Sequence, residues 1–149
     1  MKICLIASAG GHLTQLMQLE SLWNNYDFFI VTEKKEITRK LKKKYKVHFI
    51  KDPNRNPVNF FKNLYESSKI FEKENPDIII STGAGIALTT ILIAKFHGKK
   101  IAFIESLSRV KTPSITGRLA YYVSDLFLVQ WKSLLKEYGD KAKYGGRVF

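Results

Sequence analysis

Short runs of consecutive apolar residues recur along the chain, and segments with helical periodicity separate them. Runs such as "ICLIA", "IIIS" and "IAFIE" are continuous rather than alternating, which is typical of strands buried on both faces. Such strands occur in parallel sheets that helices cover on both sides. The predicted strands are Lys2–Ser8, Tyr26–Thr32, Lys46–Ile50, Asp77–Ser81, Lys100–Glu105 and Leu126–Val129.

Each predicted strand is followed by a segment that favours a helix. The predicted helices are Thr14–Trp23, Glu33–Lys44, Pro57–Glu74, Ile86–Phe96, a helix from Pro113 to Val123 with Thr112 as its N-cap, and Lys132–Tyr138. This alternation predicts the α/β class, with a Rossmann-like doubly wound parallel sheet and right-handed crossovers. The chain shows no internal repeat and no linker, so residues 1–149 are expected to form a single domain.

The chain is strongly basic, with 25 Lys and Arg against 13 Asp and Glu and a formal net charge of +12. Much of this charge lies between Glu33 and Lys51, and it favours polyanionic partners such as nucleic acid, anionic lipid or phosphorylated substrates. A solvated helix face is the alternative, because the segment is rich in lysine and poor in arginine. A basic nucleic-acid-binding module stays open, but few aromatic residues interleave the lysines and no groove-reading motif is present, so we expect no nucleic acid.

Other features of the sequence narrow the class of protein. Cys4 is the only cysteine, so no internal disulfide is possible, and its apolar surroundings predict a buried thiol. The longest strongly apolar stretch, "IALTTILIA", is well short of the roughly 20 residues that span a bilayer. No His, Cys or acidic spacing indicates a metal site. We therefore expect no metal or cofactor in this chain, and a cytoplasmic protein that is soluble or held at a membrane surface.

The first loop of unusual composition is "SAGGH", which follows the first predicted strand. In an open parallel sheet, ligands bind at the carboxyl ends of the strands. Gly10 and Gly11 would let the backbone approach a ligand, and His12 beside them could act as a base near neutral pH. The alternative is a tight strand-to-helix turn with an exposed histidine.

The second loop, "STGAGIA", offers Ser81, Thr82, Gly83 and Gly85 to a phosphate or sugar. It is not a nucleoside-triphosphate loop, because no Lys-Ser/Thr pair follows at the required spacing. It weakly resembles G-x-G-x-x-G, with a leucine where the third glycine belongs and Glu105 about 20 residues further on. An NAD(P)-dependent oxidoreductase is therefore an alternative function.

The third loop begins "ESLSRVK" and combines a carboxylate with hydroxyls and cations. Glu105 and Ser106 follow a buried strand, and Arg109 and Lys111 come shortly after them. This composition suits a site that handles a hydroxyl nucleophile and an anionic group. The alternative is an exposed ion pair between Glu105 and Arg109, which would contribute little to stability.

Four blocks carry a family resemblance, namely "SAGGHLTQL", "STGAG", "FIESLSRVKTPSITGRL" and "SDLFLVQWKSLLKEYGDKAKYGGRVF". In this order they resemble bacterial polysaccharide-biosynthesis subunits of the PssD/EpsE/CpsF type. Those subunits are similar to the membrane-recruiting subunit of the eukaryotic transferase that adds the second N-acetylglucosamine to a dolichol-linked sugar. The resemblance implies the N-terminal, acceptor-binding half of a GT-B glycosyltransferase, with a UDP-sugar bound by a separate partner subunit in a heterodimer.

The resemblance also implies roles for individual residues in an inverting, metal-independent transfer to a polyprenyl-pyrophosphate-linked saccharide. His12 is the first candidate for the base and Glu105 the second. The acceptor would be bound by Gly10, Gly11, Ser81, Thr82, Gly83, Gly85, Ser106, Arg109 and Lys111. The UDP-sugar-binding partner would be contacted by Gln130, Trp131, Tyr144, Val148 and Phe149.

The resemblance also bears on where the chain works. Its eukaryotic relatives carry a membrane anchor ahead of the first strand, whereas this sequence starts at the strand. We therefore expect peripheral attachment to the inner face of the plasma membrane. The lysine-rich segment would meet anionic lipid, and Leu16, Met17, Leu19 and Trp23 of the first helix could contribute, although core packing is the expected role of most of these four.

Overall fold

The computed structural model describes residues 1–148 and confirms the Rossmann-like α/β fold. The strands are β1 Lys2–Ala7, β2 Asp27–Thr32, β3 Val47–Phe49, β4 Ile78–Gly83, β5 Lys100–Ile104, β6 Leu126–Val129 and β7 Ala142–Tyr144. They form one sheet in the order β3-β2-β1-β4-β5-β6-β7, and every neighbouring pair is parallel. The sequence did not predict β7, a short edge strand in the tail.

Helices connect successive strands, as predicted, but several boundaries differ. The helices are α1 Gly11–Gln18, α2 Glu20–Trp23, α3 Glu36–Leu41, α4 Pro57–Glu74, α5 Leu88–Phe96, α6 Ile115–Val123 and α7 Leu135–Tyr138. Short 3-10 turns at Gly85–Ala87 and Lys132–Leu134 lead into α5 and α7.

Three predicted helix boundaries were wrong for identifiable reasons. The first helix is broken at Leu19, which leaves α1 and α2 as separate segments. The lysine-rich helix is only six residues long, because Glu33 is buried just after β2 and Lys35 is the N-cap. The N-cap of α6 is Ser114 rather than Thr112, since the Ser114 hydroxyl accepts the Gly117 amide at 2.8 Å.

The sheet carries a separate core on each face. One core includes the fully buried Leu16 and Trp23 of α1 and α2, packed against β1, β2 and β3. The other includes Phe71 of α4, Ile91 of α5 and Ala120 of α6. Cys4 is buried in this second core as predicted, and burial raises the pKa of its thiol well above the usual value.

The strand order reverses direction between β1 and β4, and this switch point is where open α/β sheets bind ligands. The pairing of β1 with β4 is irregular here, because Ile6 lies opposite Ser81 while Ala7 lies opposite Gly83. Thr82 is therefore an extra residue on β4, a local bulge that directs its polar groups toward α1.

The opposite, amino edge of the sheet holds a buried ion cluster around Glu74 at the end of α4. Its carboxylate lies 2.8 Å from Lys2 Nζ, 2.7 Å from Lys46 Nζ and 2.8 Å from His48 Nε2. Burial alone would raise the pKa of Glu74, but the hydrogen bonds from these three partners outweigh it and lower the pKa to about 2. This cluster joins the start of β1, the start of β3 and the end of α4.

Candidate functional site

A cleft of about 410 Å³ lies at the carboxyl edge of the sheet, on the side covered by α4, α5 and α6. Four segments form its walls: the start of α1, the β3–α4 turn, the β4–α5 loop, and the β5–α6 loop with the beginning of α6. The lining residues are His12, Asp52, Pro53, Asn54, Arg55, Phe60, Ala84, Gly85, Leu88, Ser106, Ser108, Arg109, Ser114, Ile115, Thr116 and Leu119. The cleft includes residues of all three predicted loops.

His12 is half-buried in this cleft and is held by Thr82 of the β4 bulge. Its Nδ1 lies 2.8 Å from the Thr82 carbonyl oxygen, and the Thr82 hydroxyl donates to the His12 carbonyl at 2.6 Å. Because a carbonyl oxygen can only accept, Nδ1 must carry the hydrogen. In the neutral ring the lone pair is therefore on Nε2, which makes no hydrogen bond to the described residues. This arrangement suits a general base.

The glycine beneath the histidine is needed for steric reasons. Gly83 has a φ of 107°, and a Cβ there would lie 3.4 Å from both Cε1 and Nδ1 of His12. An L side chain at this position would strain the backbone and crowd the imidazole. Gly83 therefore supports the ring position, and it does so without lining the cleft.

Glu105 is buried at the end of β5 and is fully engaged by neutral donors. Its carboxylate accepts the Ser106 amide at 2.8 Å, the Ser114 amide at 3.1 Å and the Ser114 hydroxyl at 3.0 Å. Tyr138 also donates its hydroxyl to Glu105. Burial, together with the hydrogen bond to this carboxylate, raises the pKa of Tyr138 above its usual value, so that its hydroxyl stays protonated.

This network explains why residue 117 is a glycine. A Cβ on Gly117 would overlap the Glu105 carboxylate and the Tyr138 hydroxyl, and it would lie 2.8 Å from Ser114 Oγ. Glu105 therefore anchors the beginning of α6, which forms one wall of the cleft. Since its side chain is buried and occupied, and it forms no ion pair with Arg109 in the part of the chain described, its role in the structure is to position this wall.

Two buried glutamines, Gln15 and Gln130, also hold the loop after Glu105 by hydrogen bonds. Gln15 of α1 accepts the Leu107 amide at 3.0 Å and the Gln130 side-chain amide at 2.7 Å. Gln130 donates as well to the Glu105 carbonyl at 3.0 Å and accepts the Val148 amide at 2.9 Å. This relay links α1, the cleft loop and the tail, so the predicted partner residue Gln130 has an internal structural role and is only 1% exposed.

Trp131, another predicted partner residue, fixes the same loop. Its indole N–H donates to the Leu107 carbonyl at 2.7 Å, and the guanidinium of Arg147 lies 4.9 Å from its ring centroid. Tyr144 is 44% exposed at the sheet edge, with Lys132 Nζ 5.4 Å from its ring centroid. Val148 is half-buried, while the prediction for Phe149 lies outside the described residues.

The predicted acceptor residues separate into three groups. Gly85, Ser106 and Arg109 line the cleft, together with the predicted base His12. The strand-end residues Ser81, Thr82 and Gly83 are buried beneath it. Gly10 lies in a neighbouring groove between α1 and α3, and Gly11 and the exposed Lys111 line neither the cleft nor that groove.

Sequence reasoning missed several residues that shape the site. Gln15 could have been noticed as a polar residue within the apolar pattern of α1. The carboxylate of Glu33 accepts the Ala9 amide at 2.8 Å and so fixes the loop before His12. From the sequence alone, Glu33 was placed in the lysine-rich segment. Arg55 lies between the third predicted strand and the third predicted helix, outside the three loops that the sequence singled out.

Residues 1–148 contain neither a membrane-spanning helix nor a cluster of metal ligands. No helix among them has both the length and the apolar character required to cross a bilayer. Within the same residues, His, Cys, Asp and Glu side chains do not gather in groups of three or more that could hold a metal ion.

This geometry does not favour the alternative function, an NAD(P)-dependent oxidoreductase. The carboxylate that would bind a ribose, Glu105, is enclosed by Ser106, Ser114 and Tyr138 and does not reach the cleft surface. Leu88, at the position of the third fingerprint glycine, lines the cleft with an apolar side chain.

Solved structures with the same fold are glycosyltransferases and epimerases. MurG of Acinetobacter baumannii superposes with a TM-score of 0.79 at 11% identity, covering 99% of this chain and 46% of that one. The UDP-N-acetylglucosamine 2-epimerase of Rickettsia bellii superposes with a TM-score of 0.78 at 15% identity, covering 99% of this chain and 45% of that one. At these identities the similarity establishes the fold alone, which is that of one half of each enzyme.

Sequence comparison identifies the family. Human UDP-N-acetylglucosamine transferase subunit ALG14 is 32% identical over 91 residues, covering 57% of this chain and 42% of that protein. The Schizosaccharomyces pombe protein of the same name is 41% identical over 78 residues, covering 49% of this chain and 37% of that protein. The chain thus matches less than half the length of these relatives. The model of the family "Oligosaccharide biosynthesis protein Alg14 like" matches residues 3–148, so the chain belongs to the Alg14-like family.

Proposed function

We propose that this chain is the acceptor-binding subunit of a two-component glycosyltransferase. The acceptor would be a polyprenyl-pyrophosphate-linked saccharide, and a second chain would bind the UDP-sugar and complete the active site. The pair would act in exopolysaccharide or capsule assembly. The single observation that carries this proposal is the fixed His12 imidazole, whose Nε2 makes no hydrogen bond to residues 1–148 and lies in a cleft that also contains arginines.

The proposed reaction uses His12 as the general base. Nε2 takes the proton from the attacking hydroxyl of the acceptor sugar as its oxygen bonds to the anomeric carbon of the donor. The bond between that carbon and the UDP oxygen breaks, and UDP leaves from the opposite face, so the configuration inverts. Glu105 is not proposed as the base, because its carboxylate is buried and engaged; it positions the wall formed by α6.

Family membership supports this proposal over the alternatives. The matched relatives are named as subunits of a UDP-N-acetylglucosamine transferase, and the chain has the fold of one half of MurG. Neither nucleic acid binding nor an NAD(P)-dependent oxidation is favoured by these findings. A separate chain that supplies the donor-binding half is therefore the expected partner, and its gene is expected to neighbour this one.

We also propose that the chain attaches peripherally to the inner face of the plasma membrane. Exposed large apolar residues gather on three adjacent helices, where α5 packs against both α4 and α6. They are Val58, Phe61 and Tyr65 on α4, Leu92 and Phe96 on α5, and Ile115, Leu119 and Tyr122 on α6. Exposed cations on the same helices, Lys62, Lys69, Lys95 and Arg118, suit anionic lipid.

This helical face fits a membrane better than the expected surface at α1 and α3. Leu16 and Trp23 are buried in the core and cannot insert into lipid. Ile37, 63% exposed, is the large apolar residue that α3 presents to solvent. Ile115 and Leu119 belong both to the helical face and to the cleft lining, so a lipid-linked acceptor could reach the cleft from the bilayer.

A vesicle co-sedimentation assay separates the two surfaces. With vesicles that contain anionic lipid, the double variant Phe61→Ser and Phe96→Ser should bind about 100-fold more weakly or worse, since each buried aromatic contributes roughly 1.5–3 kcal/mol. Ile37→Ser is the matched control and should bind like the wild type. The reverse pattern would move membrane attachment to α3.

Reconstitution tests the proposed function as a whole. The chain and its UDP-sugar-binding partner are combined with a UDP-sugar and a prenyl-pyrophosphate-linked saccharide in membranes. Transfer is expected from the pair and not from the partner alone. Failure of the two chains to associate, together with absence of transfer, would contradict the proposal, as would tight binding of NAD(P) by the isolated chain.

A further inference from the structure

Backbone strain is concentrated around the cleft. Four residues other than glycine have a positive φ in the described chain: Asn54 at 45°, Arg55 at 56°, Asn75 at 43° and Ala84 at 77°. Asn75 ends α4 in the left-handed conformation, an ordinary position for such a residue. The other three line the cleft. Arginine rarely adopts this conformation, so Arg55 is the exceptional residue.

The turn that contains Arg55 is held firmly by its surroundings. The buried Asn63 donates to the Lys51 carbonyl at 2.7 Å, and Glu66 accepts the Lys51 amide at 2.6 Å. The Asn56 amide donates to the Pro53 carbonyl at 2.8 Å, and the Asn56 side chain caps α4. Strained residues persist where the surrounding structure fixes them, and they cluster at ligand-binding sites.

The guanidinium of Arg55 is available to a ligand. The residue is exposed, lines the cleft and forms no ion pair within residues 1–148. Arg109 is likewise exposed, lines the cleft and forms no ion pair within these residues. Asp52 is the one carboxylate-bearing residue of the cleft lining, and its Oδ1 accepts the Asn54 amide at 3.0 Å.

The two arginines flank the switch point. Arg55 follows β3 and Arg109 follows β5, while β1 and β4, which carry the loops of His12 and Gly85, lie between these strands in the sheet. A ligand seated over the switch point thus has one guanidinium on either side. Each guanidinium can bind a phosphate with two parallel hydrogen bonds.

We infer that Arg55 is a second phosphate-binding residue, which together with Arg109 grips a pyrophosphate group from opposite walls of the cleft. This inference rests on the proposed function, because that function supplies a ligand with two linked phosphates. The strained backbone is retained at residue 55 because this turn places a guanidinium on the wall that faces Arg109.

Isothermal titration of the full chain with inorganic pyrophosphate tests the inference. The variant Arg55→Gly removes the guanidinium and places a residue in the turn that adopts positive φ freely. Its pyrophosphate affinity should fall about 10- to 100-fold, as expected for the loss of a charged hydrogen-bonding partner. Its melting temperature should rise by about 2–4 °C, because the glycine relieves the backbone strain. Stability and pyrophosphate affinity should therefore change in opposite directions.

Three comparisons complete this experiment. Arg39→Gln on α3 is the control and should leave the pyrophosphate affinity unchanged. Arg55→Lys should retain part of the affinity. For the wild type, inorganic phosphate should bind more weakly than pyrophosphate, since it can occupy one guanidinium at a time.

An unchanged pyrophosphate affinity in Arg55→Gly overturns the inference, as does a wild type that binds phosphate as well as pyrophosphate. The proposed function can fail independently. If the reconstituted pair transfers no sugar while Arg55→Gly still weakens pyrophosphate binding, the phosphate site stands and the transferase proposal falls.

Discussion

Two buried glutamates, Glu74 and Glu105, lie at opposite edges of the sheet and are stabilised in different ways. Glu74, at the amino edge, is surrounded by Lys2, Lys46 and His48. Glu105, at the carboxyl edge, accepts hydrogen bonds from serine and tyrosine hydroxyls and from backbone amides. Both side chains are almost fully buried, so the difference lies in the charge of their partners.

This contrast shows how, within residues 1–148, the fold leaves cations unpaired at its carboxyl edge. At the amino edge, lysines neutralise the carboxylate of Glu74 and stabilise the fold. At the carboxyl edge, neutral donors satisfy Glu105, so Arg55 and Arg109 are not drawn into ion pairs with it. The cleft therefore keeps the positive charge that the proposed anionic acceptor would require.

Glu74→Gln should have the largest effect on stability. The pKa of Glu74 is lowered from 4.5 to about 2, which corresponds to about 3 kcal/mol of stability at neutral pH. This contribution is fully present above pH 4.5 and is lost as the pH falls toward 2. Denaturant unfolding of wild type and variant at pH 7 and pH 3 should show the difference shrinking as the pH falls. Glu72→Gln, an exposed neighbour on α4, is the control.

Gly117→Ala should destabilise the protein by about 2–3 kcal/mol, because the added methyl group overlaps the Glu105 carboxylate and the Tyr138 hydroxyl. Gly11→Ala is the matched control, since a Cβ there meets no atom within 4 Å. Thermal unfolding measures both. Equal melting temperatures for the two variants would show that the network tolerates a side chain.

Glu105→Gln should cost about 2 kcal/mol, since one acceptor oxygen is replaced by an amide that faces hydrogen-bond donors. Unlike Glu74→Gln, this loss should also disorder the wall formed by the beginning of α6. Hydrogen exchange at the amides of Ser114 and Gly117 provides the measurement. Unaltered protection of these amides would indicate that Glu105 does not anchor the helix.

Tyr138→Phe should have the smallest effect, about 1 kcal/mol, because it removes one hydroxyl donor and leaves the ring packed in the core. The raised pKa of Tyr138 adds a pH dependence. Its contribution should be complete below pH 10 and should decrease at higher pH, where the unfolded tyrosine ionises. Tyr122→Phe, 78% exposed, is expected to have no effect on urea denaturation.

The strands were predictable because buried strands in a parallel sheet are continuous apolar runs. The exception is β7, whose three residues "AKY" contain no such run and whose position depends on pairing with β6. The boundaries of α1 and α3 were not predictable, since they depend on local backbone geometry at Leu19 and on the tertiary contacts of Glu33.

Among the residues that shape the cleft, those with a compositional signal could be predicted from the sequence, whereas those placed by tertiary contacts could not. His12 follows two glycines at a strand end, a pattern visible in sequence. The buried position of Glu105 and the Gln15–Gln130 pair, 115 residues apart, depend on packing that no local pattern encodes. Whether Arg55 is left unpaired likewise depends on which cations form ion pairs in the folded chain.

The central claim is that the switch-point cleft binds the acceptor with His12 as the base. Its most direct test is the turnover of the reconstituted pair with His12→Ala, compared with His97→Ala. His97 is a fair control because its Nδ1 also donates to a backbone carbonyl, that of Ile93 at 2.9 Å, but it lies at the far end of α5. We predict that kcat falls about 10²- to 10⁴-fold for His12→Ala and stays unchanged for His97→Ala. Full activity of His12→Ala would contradict the account.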